Sequence, residues 1–251
     1  HKFGSLIRIE ERFNAVVQRY KIKHQQELFA VGEQELFQQW ENIVIPNIKK
    51  AVEQYTTNGK GAGSFFKTKT LDSLTFVEIL HNKFDVVVAN PPYTASGDFG
   101  SELKTFINAN YKQPFAFNSN LFASFMKRNT ELLTEKGKIG IIHPLTFMYI
   151  KSYEDMRKYI LSNFHINILV EYGLSDLFGA IMADPAMYIL EKGNYAKQEA
   201  FFISMNQYTR TPEENFKEQY TKNALKNYIS ETPDKNNYTI NQSKIKLIKS
   251  W

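Results

Sequence analysis

The sequence FDVVVANPPY, residues 84–93, decides the fold. The apolar, mostly β-branched run at residues 86–89 is typical of a strand that is buried on both faces in a parallel sheet. This strand has to stop at Pro91 and Pro92, because neither proline has an N–H to donate to a sheet ladder. The sequence therefore predicts an α/β fold with a stiff loop at the carboxyl end of the strand, the edge at which open α/β sheets bind ligands.

The loop after this strand carries groups suited to holding an amino group on a flat ring. Asn90 offers a side-chain carbonyl oxygen, and the backbone of Pro91 offers a second one. Pro91 and Pro92 fix φ and hold the loop rigid, while Tyr93 supplies a flat face for stacking. The alternative is a stiff turn with Tyr93 in the core, but the strand before the loop and the aromatic residue within it favour a binding site.

The segment resembles motif IV of the amino-group DNA methyltransferases, the NPPY class that transfers methyl from S-adenosylmethionine to N6 of adenine. The resemblance implies catalytic roles for Asn90, Pro91, Pro92 and Tyr93. The Asn side chain and the first Pro carbonyl would hold the amino group of a flipped base, and Tyr93 would stack on that base. Asn90 would also contact the cofactor, and no metal is implied.

Other segments extend the resemblance to Eco57I-like enzymes and to the adenine methyltransferases of bacteriophage-exclusion (BREX) systems. They are HKFGSLI at 1–7, NLFASF at 120–125, GKIGIIHPLTF at 137–147 and SYEDMRKYIL at 152–161. NLFASF resembles motif V, so Phe122 and Phe125 are expected to contact the cofactor, with a core role as the alternative. By its order in the chain, Phe178 is expected to stack on the base opposite Tyr93; a core role for it is equally open.

The resemblance implies a partial Rossmann-like methyltransferase sheet, mostly parallel, with an antiparallel edge pair and an α-helical insertion. Residues 1–195 are expected to be part of the catalytic domain, and 196–251 a peripheral helical or linker segment towards a missing target-recognition region. The expected elements are a helical insertion at about 10–57, a hinge at 58–64, helices at 71–80, about 118–136 and 153–161, strands at 138–143 and 167–172, and the antiparallel pair around 186–191.

Composition narrows the class of protein. The chain has 251 residues, 43% of them hydrophobic, which excludes a disordered chain. A net charge of +5 is compatible with a polyanionic partner. Cysteine is absent, and no apolar run approaches the ~18 residues that suggest a membrane span. We therefore expect a cytoplasmic protein with no membrane partner.

The predicted function is site-specific methylation of adenine N6 in double-stranded DNA, with base flipping, in a restriction-modification or phage-defence system. Other subunits of such a system are potential partners. No FxGxG or DPxCGSG motif occurs in the chain, so the main S-adenosylmethionine loop is expected outside it and this fragment is expected to be inactive alone. The alternatives are a protein glutamine-N5 methyltransferase and a non-catalytic DNA-binding or scaffold subunit. His143, at the end of a predicted strand, is either catalytic or, as lone histidines usually are, structural.

Overall fold

The structure is a computed structural model that describes residues 6, 46, 49–50, 62–172, 185–193, 199–204 and 237–245. It divides the chain into two compact units, residues 1–82 and 83–251. The first unit contains helix α1, Ala62–His81, which confirms the helix predicted at 71–80 and begins inside the predicted hinge. Most of the predicted insertion at 10–57 lies outside the described residues.

The second unit is built on a mixed sheet of six described strands, in the order β1-β2-β4-β3-β5-β6. The strands are β1 Phe84–Ala89, β2 Leu133–Pro144, β3 Phe164–Glu171, β4 Pro185–Lys192, β5 Glu199–Ser204 and β6 Asn237–Asn241. β1 is parallel to β2, and both β2 and β3 are antiparallel to β4. It follows that β1, β2 and β3 run in one direction and share a carboxyl edge.

Among the described residues, three helices lie between the strands and a short fourth one follows β6. They are α2 Ser101–Tyr111, α3 Leu121–Glu131, α4 Glu154–Asn163 and the short α5 Gln242–Ile245. Three 3₁₀ turns, Ser96–Asp98, Leu145–Met148 and Lys151–Tyr153, lie in the loops that follow β1 and β2. None of the helices in the described ranges is both long and apolar enough to cross a membrane.

The antiparallel strand at 186–191 is present but lies elsewhere than expected. β4 is inserted between β2 and β3, whereas the antiparallel pair at the edge consists of β5 and β6. These two strands also differ from the prediction of a helical or linker segment after residue 195. Charged and amide residues dominate the composition there, but the apolar run at 200–203 is buried against the sheet.

The prediction that β1 is buried on both faces is wrong. Val86 is 64% exposed and Val88 is 78% exposed. A β-branched run shows that a segment favours strand geometry, but burial depends on what covers it. β1 is the edge strand of the described sheet and pairs only with β2 there.

The end of α3 also differs from the prediction. Asn120 caps the helix, accepting from the Phe122 N–H at 3.1 Å, as the polar residues at 118–120 predict. The helix ends at Glu131, and Gly137 lies within β2 instead of terminating the helix. Between the pairs Phe84–Leu133 and Val86–Lys138 the register of β2 shifts, and the added residues bring Gly137 against β1.

A buried aromatic cluster, formed by Phe122, His143, Phe147, Tyr153 and Tyr188, fills the space where α3 meets β2 and β4. The His143 and Phe122 rings stack at 4.4 Å, and Phe147 and Tyr188 meet the imidazole edge-on. His143 is fully buried and its Nε2 lies 2.5 Å from the Tyr188 hydroxyl, while Nδ1 lies 3.1 Å from the Pro144 carbonyl oxygen. Because a carbonyl only accepts, Nδ1–H donates to it and Nε2 accepts from Tyr188. These contacts favour the structural role for His143.

The pH dependence of stability tests this cluster. Burial lowers the pKa of His143 from 6.5 to about 3. Below its ordinary pKa the unfolded chain binds a proton that the folded chain does not, so the stabilisation is complete above pH 6.5 and is lost as pH falls from 6.5 towards 3. We expect His143→Gln to reduce the slope of unfolding free energy against pH by about 1.4 kcal/mol per unit over this window, measured by urea unfolding. Tyr188→Phe, which leaves the imidazole buried, keeps the slope; an unchanged slope in His143→Gln would contradict the assignment.

Gly137 provides a second test. A Cβ at this position would lie 3.0 Å from the backbone oxygens of Phe84 and Thr134, and neither backbone is free to move. We expect Gly137→Ala to lower the free energy of unfolding by about 1–3 kcal/mol. The matched control is Gly97→Ala, where nothing lies within 4 Å of the added Cβ and φ is not positive. Equal stabilities for the two variants would show that the close approach is unimportant.

Candidate active site

The four residues after β1 form a short corner at the carboxyl edge of the sheet. β1 ends at Ala89, which pairs with Ile141 of β2. Asn90 and Pro92 are exposed, Pro91 is buried and Tyr93 is partly buried. The Asn90 amide and the Tyr93 ring are therefore both reachable from outside, and neither is sealed in the core.

Asn90 and Tyr93 contact each other within this corner. The Tyr93 hydroxyl donates to Asn90 Oδ1 at 3.3 Å, which orients the amide and places the aromatic ring beside it. Burial raises the pKa of Tyr93 above its ordinary value, so the hydroxyl keeps its proton at neutral pH. A carbonyl oxygen has two lone pairs, so Oδ1 retains capacity for a second donor.

The corner is held against the start of α3. Asn120 Nδ2 donates to the Tyr93 carbonyl at 3.3 Å. Two backbone hydrogen bonds continue the contact, Leu121 N–H to Thr94 O at 2.9 Å and Ser96 N–H to Ser119 O at 3.0 Å. The segment after Tyr93 is thus attached to residues 119–121.

This arrangement suits a planar ligand that carries an amino group. The Asn90 side chain and the Pro91 backbone each carry a carbonyl oxygen, and two such acceptors side by side can bind both hydrogens of an NH₂ group. The adjacent Tyr93 ring offers a stacking surface. Binding of such a ligand needs no charged group, because a neutral amine on a ring requires only hydrogen-bond acceptors and an aromatic surface on which the ring can stack.

The remaining predicted site residues lie in different environments. Phe122 is 1% exposed and stacks on His143, contacts that favour its core alternative over a cofactor contact. Phe125, three residues further along α3, is only partly buried. Phe178 lies outside the described residues.

Asn120 is the site residue that sequence reasoning missed. The sequence signal at 118–120 was sufficient to predict a helix cap, and the cap is present. Nothing local, however, links residue 120 to Tyr93, which is 27 positions earlier in the chain. Only the packing of α3 on β2, the strand that pairs with β1, brings them together.

The sequence is similar to those of known methylases. A family model described as "Eco57I restriction-modification methylase" matches residues 9–178, more than half of the chain. The type II methyltransferase M.BstVI of Geobacillus stearothermophilus is 31% identical over 46% of this chain and 20% of its own length. The adenine-specific methyltransferase BrxX of Escherichia coli O9:H4 (strain HS) is 35% identical over 34% of this chain and 7% of its own length.

The fold is also similar to that of a solved structure. A chain of a type I R-M system superposes with a TM-score of 0.52 at 14% identity, over 66% of this chain and 36% of that chain. At this identity the likeness shows the fold alone. The matches to M.BstVI and BrxX span a fifth or less of those proteins' lengths.

Proposed function

Because the chain belongs to the family of Eco57I restriction-modification methylases, we propose that the intact protein methylates adenine N6 in DNA, with S-adenosylmethionine as the methyl donor. The observation that carries the proposal is the Asn90–Tyr93 corner: an exposed amide hydrogen-bonded to a reachable aromatic ring at the carboxyl edge of the sheet. Adenine presents the matching groups, an exocyclic amine on a flat ring.

The amine is a poor nucleophile, because its lone pair is delocalised into the ring. The Asn90 side-chain oxygen and the Pro91 carbonyl draw the two amine hydrogens towards themselves. This favours a pyramidal nitrogen whose lone pair projects away from the ring. As the N–C bond forms, the methyl carbon would leave the sulfonium sulfur, which departs as a neutral thioether. Positive charge develops on nitrogen, and carbonyl dipoles fixed in advance stabilise that charge until the extra amine proton passes to solvent. Alignment of the amine within the corner contributes further to the rate.

The target base has to leave the duplex to reach these groups. Flipping costs a few kcal/mol, and stacking on an aromatic ring returns roughly 1–3 kcal/mol. Tyr93 is the stacking residue we propose. Phe178 remains the candidate for the opposite face of the base.

The described residues form the amine half of the site and not a complete cofactor pocket. When bound, S-adenosylmethionine supplies an electrophilic methyl group on a sulfonium. The Phe122 ring, buried against His143, does not fit the predicted contact with it, while Asn90 and the partly buried Phe125 stay accessible. This chain's own contribution is therefore to bind and orient the amine.

The biological setting we propose is a restriction-modification or phage-defence system, in which other subunits would be partners. The names of the relatives M.BstVI and BrxX support methyltransferase activity, and the name of BrxX supports specificity for adenine.

The direct test is to incubate the intact protein with S-adenosylmethionine labelled in the methyl group and either double-stranded DNA or protein. Label on DNA N6-methyladenine supports the proposal, and label on protein glutamine alone would overturn it. Calorimetry with S-adenosylmethionine adds a check, since absence of binding would indicate a non-catalytic DNA-binding or scaffold role.

Substitution of Asn90 tests the acceptor role. We expect Asn90→Ala to lower kcat for DNA methylation by at least about a hundredfold, because a preorganised polar contact to the reacting group is lost. DNA binding, measured by fluorescence anisotropy, stays close to that of the wild type. Asn90→Asp is the matched control, as it keeps an acceptor oxygen and is expected to retain more activity than the alanine variant. Wild-type turnover in Asn90→Ala would refute the role.

Two substitutions of Tyr93 separate its ring from its hydroxyl. Tyr93→Phe removes the hydrogen bond to Asn90 but keeps the stacking face, so we expect kcat/KM to change by less than about tenfold, since a neutral hydrogen bond contributes about 1 kcal/mol. Tyr93→Ala removes the face and is expected to lose a further 1–3 kcal/mol or so of base stacking. The measurement is fluorescence of 2-aminopurine at the target position, which rises on flipping; equal signals for the Phe and Ala variants would rule out stacking.

A further inference from the structure

The side chain of Asn120 makes two hydrogen bonds that serve different parts of the structure. Its Oδ1 accepts from the Phe122 N–H at 3.1 Å and caps α3. Its Nδ2 donates to the Tyr93 carbonyl at 3.3 Å. The backbone N–H of Phe122 can only donate, so the amide oxygen has to face it and the NH₂ group has to face Tyr93. Asn120 is 8% exposed, so water has little access to either bond.

The corner between β1 and α3 is fixed at both ends. At one end Ala89 is held in the ladder with Ile141. Pro91 and Pro92 then remove two of the φ rotations in the chain that follows. At the other end the Asn120 amide holds the Tyr93 carbonyl. Once Asn120 holds the Tyr93 carbonyl, the backbone between Asn90 and Tyr93 has few torsion angles left that can rotate.

From this geometry we propose that Asn120 is a positioning residue: its NH₂ group sets the orientation of Tyr93 relative to Asn90 and so aligns the target base for methyl transfer. The proposal rests on the proposed function for its catalytic consequence. Its structural part, the control of Tyr93, does not depend on that function.

The positioning role is separable from the capping role. Asp and Ser both cap helices as well as Asn does, but neither can donate as the amide does: Asp offers only oxygens, and the Ser hydroxyl is shorter. The backbone bonds from Leu121 to Thr94 and from Ser96 to Ser119 do not involve the side chain. Both variants therefore keep the cap of α3 and the backbone attachment of the loop, and both lose the hold of the amide on Tyr93.

The experiment compares Asn120→Asp and Asn120→Ser with the wild type in the intact protein. We expect Asn120→Ser to keep a melting temperature near that of the wild type and Asn120→Asp to lower it, because a buried carboxylate would face the Tyr93 carbonyl oxygen. We expect both variants to keep the wild-type KM for DNA and to lower kcat about tenfold to a hundredfold, since a small misplacement near the reacting atoms costs this much. The matched control is Asn118→Asp, two residues earlier, where the side chain donates to Asn108 Oδ1 at 2.7 Å and not to the corner. This control is expected to keep the wild-type kcat.

A second readout reports on Tyr93 without any reaction. With 3-fluorotyrosine incorporated at position 93, the ¹⁹F resonance is expected to shift or broaden in Asn120→Asp and Asn120→Ser and to stay in place in Asn118→Asp. Wild-type kcat in both Asn120 variants, or loss of activity in the Asp variant alone, would overturn the positioning role. If the wild type does not methylate DNA, the proposed function fails, while the ¹⁹F comparison still decides whether Asn120 controls Tyr93.

Discussion

The structure of the site depends on one constraint, a diproline corner held at both ends. The sheet holds it at Ala89 and the start of α3 holds it at Tyr93. Between these anchors the Tyr93 hydroxyl reaches Asn90 Oδ1, so the acceptor and the ring form one unit. Charged side chains would add little to the binding of a neutral amine. The proposed site therefore depends on the positions of its acceptor and its ring, and the two anchors fix those positions.

The local parts of this arrangement could be read from the sequence. A β-branched run followed by two prolines predicts a strand and its end, because strand geometry and the missing N–H groups are properties of those residues themselves. The residue types of the site, an amide and an aromatic ring at that end, follow in the same way. The structure has β1 and the corner where the sequence predicts them.

The parts that could not be predicted depend on contacts between distant segments. The exposure of Val86 and Val88 follows from the position of β1 at the edge of the described sheet. Residue type alone does not reveal which elements lie beside a strand or cover it. The position of β4 between β2 and β3 likewise depends on which distant strands pair with it, and its own residues do not determine that. A glycine such as Gly137 can mark the end of a helix or a place where two backbones lie close together. Only the shifted register of β2 against β1 shows that the second case applies.

The buried cluster around His143 connects stability to the site. Tyr188 and Pro144 fix the imidazole, the imidazole stacks on Phe122, and the N–H of Phe122 is the group that orients the Asn120 amide. Tyr188, His143 and Phe122 are almost completely buried. Interiors are close-packed and respond to small changes in volume, so the first turn of α3 is the part of the site that lies nearest to the His143 ring along this series of contacts. The neutral, fully buried imidazole therefore packs against the first turn of α3, the turn whose capping residue Asn120 forms the second anchor of the corner.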